Sequence, residues 1–279
     1  MDYLNKQILY INLEKNESEA KTFSELRNYI GGVGLGLKLL SIYKDEDPII
    51  FSVGPLNGFF PFVSKTSVVF QNEGSVEDIY FGGSLSFRLK FLGIDAVVLS
   101  GISKNPTVIN IDDAVSFMKM DEDIKLHGLP GKRSIVSLEA KGLFLDGYFQ
   151  APERILEQKF VEKNIKSIIF TGSKTFSVVN EEKYHQIYKE ILSRVGEMSV
   201  QKRDKPSCSG CPVGCSSSGV GEIGGNVLVH CLVGCSFAEK IYSDVGTIFS
   251  CFNVLGYDYT HEDIENAPRL IAETLAEFS

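Results

Sequence analysis

Short apolar runs punctuate the first 170 residues and constrain the fold most. Residues 7–13, 49–53, 66–70, 96–100, 107–111, 134–138 and 166–170 are each five to seven residues long and rich in Ile, Val, Leu and Phe. Runs of that length, closed by turn signals such as Gly54-Pro55, read as β-strands. Two stretches read as helical, 24–29 with 35–43, and 181–195. In the second, Tyr184, Ile187, Tyr188, Ile191 and Leu192 recur at helical spacing, a stripe that suits core packing. The fold class is therefore α+β with a β-rich body. Lys202-Arg-Asp-Lys-Pro206 is a charged, proline-ended linker, which divides the chain into a β-rich domain over 1–205 and a helical segment over 206–279. Within that segment 266–278 is made of good helix formers, with Pro268 suited to a first helical turn. Internal repeats and low-complexity tracts are absent from the sequence.

At 279 residues the chain is long enough for one large or two smaller domains. Its net charge of −8 gives no electrostatic reason to bind nucleic acid or an anionic membrane. Apolar runs such as 95–100 are strand-sized and too short to span a bilayer. Met1-Asp-Tyr-Leu-Asn-Lys6 has no apolar signal core, so the expectation is a soluble cytoplasmic protein.

The cysteines carry the chemistry. There are six, at 208, 211, 215, 231, 235 and 251. A disulfide framework spreads along a small secreted domain, whereas thiols gathered in one segment suit a metal. Cys208-Ser-Gly-Cys211-Pro-Val-Gly-Cys215 is the densest group. Gly210 and Gly214 let backbone amides approach sulfur, which tunes a cluster's potential. An iron–sulfur cluster, a structural zinc and a redox thiol pair are the three readings. The third cysteine close behind the pair, and the rigid proline after Cys211, favour the cluster.

Tyr29-Ile-Gly-Gly-Val-Gly-Leu-Gly-Leu-Lys-Leu-Leu40 is a glycine-rich entry to a helix. It misses the dinucleotide fingerprint, because counting from Gly32 the third glycine falls on Leu37. Walker, G-x-S-x-G and H-E-x-x-H motifs are absent from the sequence. Of the four histidines, His185 and His261 sit among charged residues, and His230 beside Cys231 reads as a partly buried group rather than a ligand.

Taken in order, these stretches resemble the aldehyde ferredoxin oxidoreductase family over nearly the whole chain. Residues 29–40 are similar to its opening glycine motif, and Val53-Gly-Pro-Leu-Asn-Gly58 to its G-P-L-T-G. Gly82-Gly83 with Leu89-Lys-Phe-Leu-Gly-Ile-Asp-Ala-Val-Val-Leu-Ser-Gly101 resembles its G-G…L-K-F-A-G-Y-D-A stretch. Asn164-Ile-Lys-Ser-Ile168 and Gly172-Ser-Lys174 match the end of its first domain. Cys208 to Cys215 matches C-x-x-C-P-x-x-C, and Leu255-Gly-Tyr-Asp258 echoes the core of its first pterin loop. The resemblance implies a β-rich base that cradles a tungsten or molybdenum bis-pterin, beside one 4Fe-4S cluster. It implies oxidation of aldehydes to acids, with electrons passed to ferredoxin or another electron-transfer protein. On this sequence it assigns Lys65, Gly82, Gly83, Asn253 and Asp258 to the pterin side, and Cys208, Cys211 and Cys215 to the cluster.

The sequence departs from that pattern in several places. Lys65 stands for an arginine and loses its bidentate fork for phosphate. Tyr80 falls where the family has asparagine, and Asn253 where it has aspartate. The family's glycine-rich phosphate loop aligns with Ala151-Pro-Glu-Arg-Ile-Leu-Glu-Gln158, which has no glycine to present amides and carries Glu153 and Glu157. Gly225-Asn-Val-Leu-Val229 replaces an acidic stretch near the metal. The second pterin loop and the fourth cluster cysteine lie in a region without a counterpart here. The expectation is an oxidoreductase that needs a partner subunit for its other half, and that does not hold a bis-pterin metal tightly alone. The alternative is a non-catalytic paralogue that keeps the fold and the cluster as an electron-relay or binding subunit. For the fourth thiolate, Cys235 and Cys231 rank above Cys251, because four residues apart on a helix they would share a face.

Overall fold

The computed structural model describes residues 5–119, 124, 127–129, 131–198, 200, 208–209, 211, 213–215 and 221–279. The chain opens with the hairpin β1 (Lys6–Asn12) and β2 (Glu17–Phe23), then α1 (Gly32–Tyr43), β3 (Ile49–Ser52), β4 (Thr66–Asn72), β5 (Ser75–Phe81), α2 (Leu85–Leu92) and β6 (Ala96–Ser100). Next come β7 (Thr107–Ile111), β8 (Val115–Lys119), β9 (Arg133–Glu139), β10 (Gly142–Leu145), β11 (Phe149–Gln150), α3 (Ile155–Glu162) and β12 (Ile165–Thr171). The remainder is α4 (Glu181–Ser193), the short β13 (Glu222–Ile223), α5 (Val227–Leu232), α6 (Glu239–Tyr242), α7 (Val245–Leu255) and α8 (His261–Leu275).

Among the described residues the strands form two mixed sheets. One has the order β13-β5-β4-β3-β6-β1-β2 and the other β11-β10-β9-β12-β7-β8. The pairs β1–β6 and β7–β12 are parallel and the other ladders antiparallel. The α+β class read from the sequence is the observed one.

Why the strand runs are so continuously apolar is now plain. Side chains alternate across a sheet, and the first sheet is covered on both faces. Ile8, Ile50, Val69 and Val98 point to one hydrophobic cluster, shared with α1 and the helices from α4 onward. Their neighbours Leu9, Phe51, Phe70 and Val97 point to a second cluster, shared with Ile109, Ile168 and Phe170 of the other sheet. The architecture is sheet, sheet, helices, with the seven-stranded sheet in the middle. Burying both faces removes the polar alternation an exposed sheet would show.

Two elements depart from the sequence reading. Strand β2, Glu-Ser-Glu-Ala-Lys-Thr-Phe, is a mostly exposed edge held by its hairpin with β1, so no apolar run announces it. Helix α8 starts at His261, so Pro268 lies inside the helix rather than in its first turn. Thr260 sets that start through a capping box: its hydroxyl accepts from the Asp263 amide (3.1 Å), and Asp263 accepts from the Thr260 amide (2.8 Å). Thr260→Ala is expected to cost about 1 kcal/mol, seen as a lower urea midpoint at unchanged slope. The 184–192 stripe packs into the first cluster as expected, with Ile187 and Ile191 buried. Among the described residues, no helix is long and apolar enough to cross a membrane.

Candidate functional site

The site is built where the ladder of β4 and β5 ends. Thr66 pairs with Phe81, so the next rung sets Lys65 beside Gly82. Lys65 is buried. Its carbonyl accepts from Asn57 Nδ2 (3.1 Å), and Asn57 Oδ1 accepts from the Gly54 amide (2.7 Å). One asparagine thus clasps the Gly54-Pro55 loop to the strand that carries Lys65. Ser86 Oγ donates to the Ser64 carbonyl (2.9 Å), which fixes the same segment to α2.

Gly82 is required by a close approach. A Cβ there would lie 2.4 Å from Cys208 Sγ and 2.9 Å from the Phe149 ring. Gly83 has φ +69, a left-handed conformation that favours glycine, and its carbonyl accepts from the Ser209 amide (3.4 Å). The Gly82-Gly83 turn is therefore the seat of the cysteine motif. Gly82, Gly83 and Cys208, distant in sequence, meet here, at the end of the β4–β5 ladder next to which Lys65 lies.

Cys208 packs into the core between the sheets, Cys215 into the core under the helices, and Cys211 touches both. The motif straddles the seam between the two cores. The Cys211 amide donates to the Cys208 carbonyl (2.9 Å). Burial, reinforced by the neighbouring Cys208 and Cys215 sulfurs, pushes the Cys211 thiol up to about 11. Gly210, Pro212, the linker at 202–206 and residues 216–220 lie outside the described residues. Among the described residues no three His, Cys, Asp or Glu side chains already form a metal-binding group. The donor set nonetheless suits a cluster: three soft thiols in one loop, one of them in a cradle that a Cβ would fill.

The candidate fourth thiolates do not share a helix face. Helix α5 ends at Leu232 with Val233 left-handed (φ 44), and Cys235 is the cap of a separate turn. Cys231 is fully buried, with its sulfur 3.1 Å from where a Gly34 Cβ would sit, and burial pushes its thiol up to about 12. Cys251 is also fully buried. Cys235 is half-buried, packs against the same core as Cys211 and Cys215, and its amide donates to the Phe62 carbonyl (3.1 Å).

The pterin side does not fit its group. The glycines at 31, 32 and 54 face the chain's own backbone: a Cβ on Gly32 would lie 2.0 Å from the His230 carbonyl, and one on Gly54 1.9 Å from the Leu232 carbonyl. The end of α5 packs directly on these glycines, so they serve a close backbone approach. Residues 155–162 form helix α3 with Glu157 in its first turn. Burial, then the Glu153 and Asp78 carboxylates, hold Glu77 above the usual carboxylate range, so the β5 side is acidic and repels phosphate. Tyr80 donates to Asp78 and stacks on the His230 ring at 3.8 Å. His230 is 1% exposed, more deeply buried than the sequence suggests. Asn253 is exposed on α7, and exposed Asp258 pairs with Arg27 at 2.7 Å. Both lie on the helical layer.

One residue of the site escapes sequence reading. Asp146 has φ +56, and its carboxylate accepts from the Ser84 amide (3.1 Å), the Ser84 hydroxyl (2.9 Å), the Ser134 hydroxyl (2.7 Å) and the Ile135 amide (3.0 Å). The signal that marks it is the turn dipeptide Asp146-Gly147.

Residues 8–139 match the aldehyde ferredoxin oxidoreductase N-terminal domain. The tungsten-containing aldehyde ferredoxin oxidoreductase of Pyrococcus furiosus is 24% identical over 224 residues, which are 68% of this chain and 37% of that protein. Its counterpart from Thermococcus kodakarensis is 25% identical over 222 residues, again 68% and 37%. The chain thus spans little more than a third of these relatives. A solved structure, the active-site complex BamBC of benzoyl coenzyme A reductase with 1,5-dienoyl-CoA, superposes with a TM-score of 0.63 at 14% identity, over 98% of this chain and 63% of that one. The likeness extends the shared fold beyond the matched residues. The segment 8–139 is thus similar to the N-terminal domain of the aldehyde ferredoxin oxidoreductase family, and the solved structure shares the fold over most of the chain.

Proposed function

We propose that this chain is the iron–sulfur part of an oxidoreductase of the aldehyde ferredoxin oxidoreductase type. Cys208, Cys211 and Cys215 would hold a 4Fe-4S cluster, with Cys235 as the local candidate for the fourth position. A cluster there supplies one-electron transfer to ferredoxin or another electron-transfer protein. The observation that carries the reading is the seating of Cys208 Sγ on Gly82, which joins the thiol loop to the family's glycine turn. Aldehyde oxidation would need a partner that brings the pterin-bound metal, and the description of the solved neighbour as a BamBC complex supports such an assembly. A non-catalytic electron-relay or binding subunit is the second reading. It is favoured by the α5 carbonyls over Gly32 and Gly54, and by the acidic side chains at 77, 78 and 153.

Metal and sulfide analysis of the chain purified without oxygen tests this. Iron with sulfide is expected, and Cys211→Ala is expected to lose both together with the visible charge-transfer absorption. Zinc alone, or full iron in Cys211→Ala, would refute the cluster. Stoichiometric tungsten or molybdenum in the isolated chain would refute the need for a partner and favour the catalytic reading of this chain by itself.

A further inference from the structure

We propose that Asp146 is the positioning residue of the cysteine loop. Its carboxylate sits in the turn after β10, and one oxygen grips Ser84 twice, through amide and hydroxyl, while the other grips Ser134 Oγ and the Ile135 amide of β9. The Asp146 amide donates in turn to the Ile135 carbonyl (2.8 Å). One side chain therefore ties the turn of the first sheet to the second sheet. That turn is Gly82-Gly83-Ser84, on which Cys208 and Ser209 rest. Asp146 Oδ2 would lie 3.1 Å from a Cβ on Gly83, so it abuts the turn directly.

Two features argue that the arrangement serves the site rather than general stability. The carboxylate is exposed at residue level yet saturated with four hydrogen bonds. It also holds a left-handed backbone, which costs a non-glycine residue energy and tends to persist where the surroundings need one geometry. Residues behind a metal ligand fix its direction, and losing one typically weakens metal binding about 10–100-fold. Cys208 has little freedom of its own, because its sulfur already occupies the cradle left by Gly82. A shift of the turn therefore moves the sulfur.

The proposal rests on the cluster reading above, and the test separates the two. Asp146→Gly removes the carboxylate while keeping a residue that favours the left-handed turn. Ser134→Ala removes one hydrogen bond on the strand side and leaves the grip on Ser84. With full-length chain loaded anaerobically, the rate of iron loss to a chelator and the electron paramagnetic spectrum of the reduced cluster are read, beside the thermal midpoint of metal-free protein. Asp146→Gly is expected to lose iron about tenfold faster or more and to change the spectrum. Its metal-free midpoint is lowered by the lost hydrogen bonds, but its unfolding stays cooperative. Ser134→Ala is expected to match wild type in both cluster readouts. A wild-type rate and spectrum in Asp146→Gly would overturn the proposal, as would equally fast loss from Ser134→Ala. Should Asp146→Gly not fold, Asp146→Asn, which keeps one acceptor oxygen and tolerates the left-handed region, is judged by the same two readouts. Absence of iron from wild type would instead overturn the cluster reading itself, and this assignment with it.

Discussion

Gly54→Ala is expected to destabilise the chain by about 4 kcal/mol or more, or to prevent folding, while Gly196→Ala stays within about 0.5 kcal/mol of wild type. The first value follows from what a methyl group would meet. Its carbon would lie 1.9 Å from the Leu232 carbonyl oxygen, 2.1 Å from the carbonyl carbon and 2.7 Å from the Leu232 Cα. All three are backbone atoms, so no rotamer change relieves the clash. Helix α5 would have to lift away from the end of β3, and the neighbouring contacts of Gly31 and Gly32 with the same stretch of backbone would open with it. Val229, Cys231, Leu232 and Val233 are fully buried in the helical core, so lifting α5 exposes apolar area as well. Gly196 has no heavy atom within 4 Å of its added carbon. Urea unfolding of both variants at neutral pH checks the contrast. Equal midpoints for the two would show that α5 does not sit on the glycine loops as described.

The same contact explains what the sequence could and could not disclose. That residues 29–40 and 53–58 are glycine-rich was visible at once. The sequence could not say that the backbone packed on those glycines belongs to residues 230–232, because a contact across some two hundred positions leaves no local period or turn signal. Strands buried on both faces were legible as uninterrupted apolar runs. The polar edge strand β2 was not, because its place depends on pairing with β1 rather than on its own residues. Cysteine spacing disclosed the thiol loop, yet its seat on Gly82 depends on where β5 ends. The assumed helix shared by Cys231 and Cys235 failed on one left-handed residue, Val233. No β-branched residue favours that conformation, so propensity gave no warning.

Lys90→Met is expected to raise stability at pH 7 by about 1–3 kcal/mol and to flatten its rise toward alkaline pH. Lys90 is 2% exposed on the inner face of α2. Its ammonium finds no hydrogen-bond acceptor among the described residues, and its one carboxylate neighbour, Asp95, is 3.9 Å away. Burial outweighs that weak attraction, and Lys6 opposes the charge further, so Lys90 falls from its ordinary 10.5 to about 8. At about 1.4 kcal/mol per unit, the folded state carries a penalty of about 3 kcal/mol while both states are protonated. Between about pH 8 and 10.5 the unfolded chain binds more protons than the folded one, so unfolding free energy climbs with pH across that window. Below it the penalty is present in full; above it the penalty is gone. A methionine keeps most of the apolar stem and removes the charge. Asp95 is not stranded by the change, since it still accepts from the Gln7 amide (2.9 Å) and faces the buried ammonium of Lys6. Lys6 itself titrates above the window, because Tyr259 and Asp95 outweigh the burial that would lower it. The difference between variant and wild type therefore isolates Lys90. Urea midpoints taken from pH 6.5 to 10.5 should converge as pH rises, with the variant ahead at the acid end. Parallel curves, or a variant less stable than wild type at pH 7, would mean that Lys90 has a partner strong enough to hold its charge in the core.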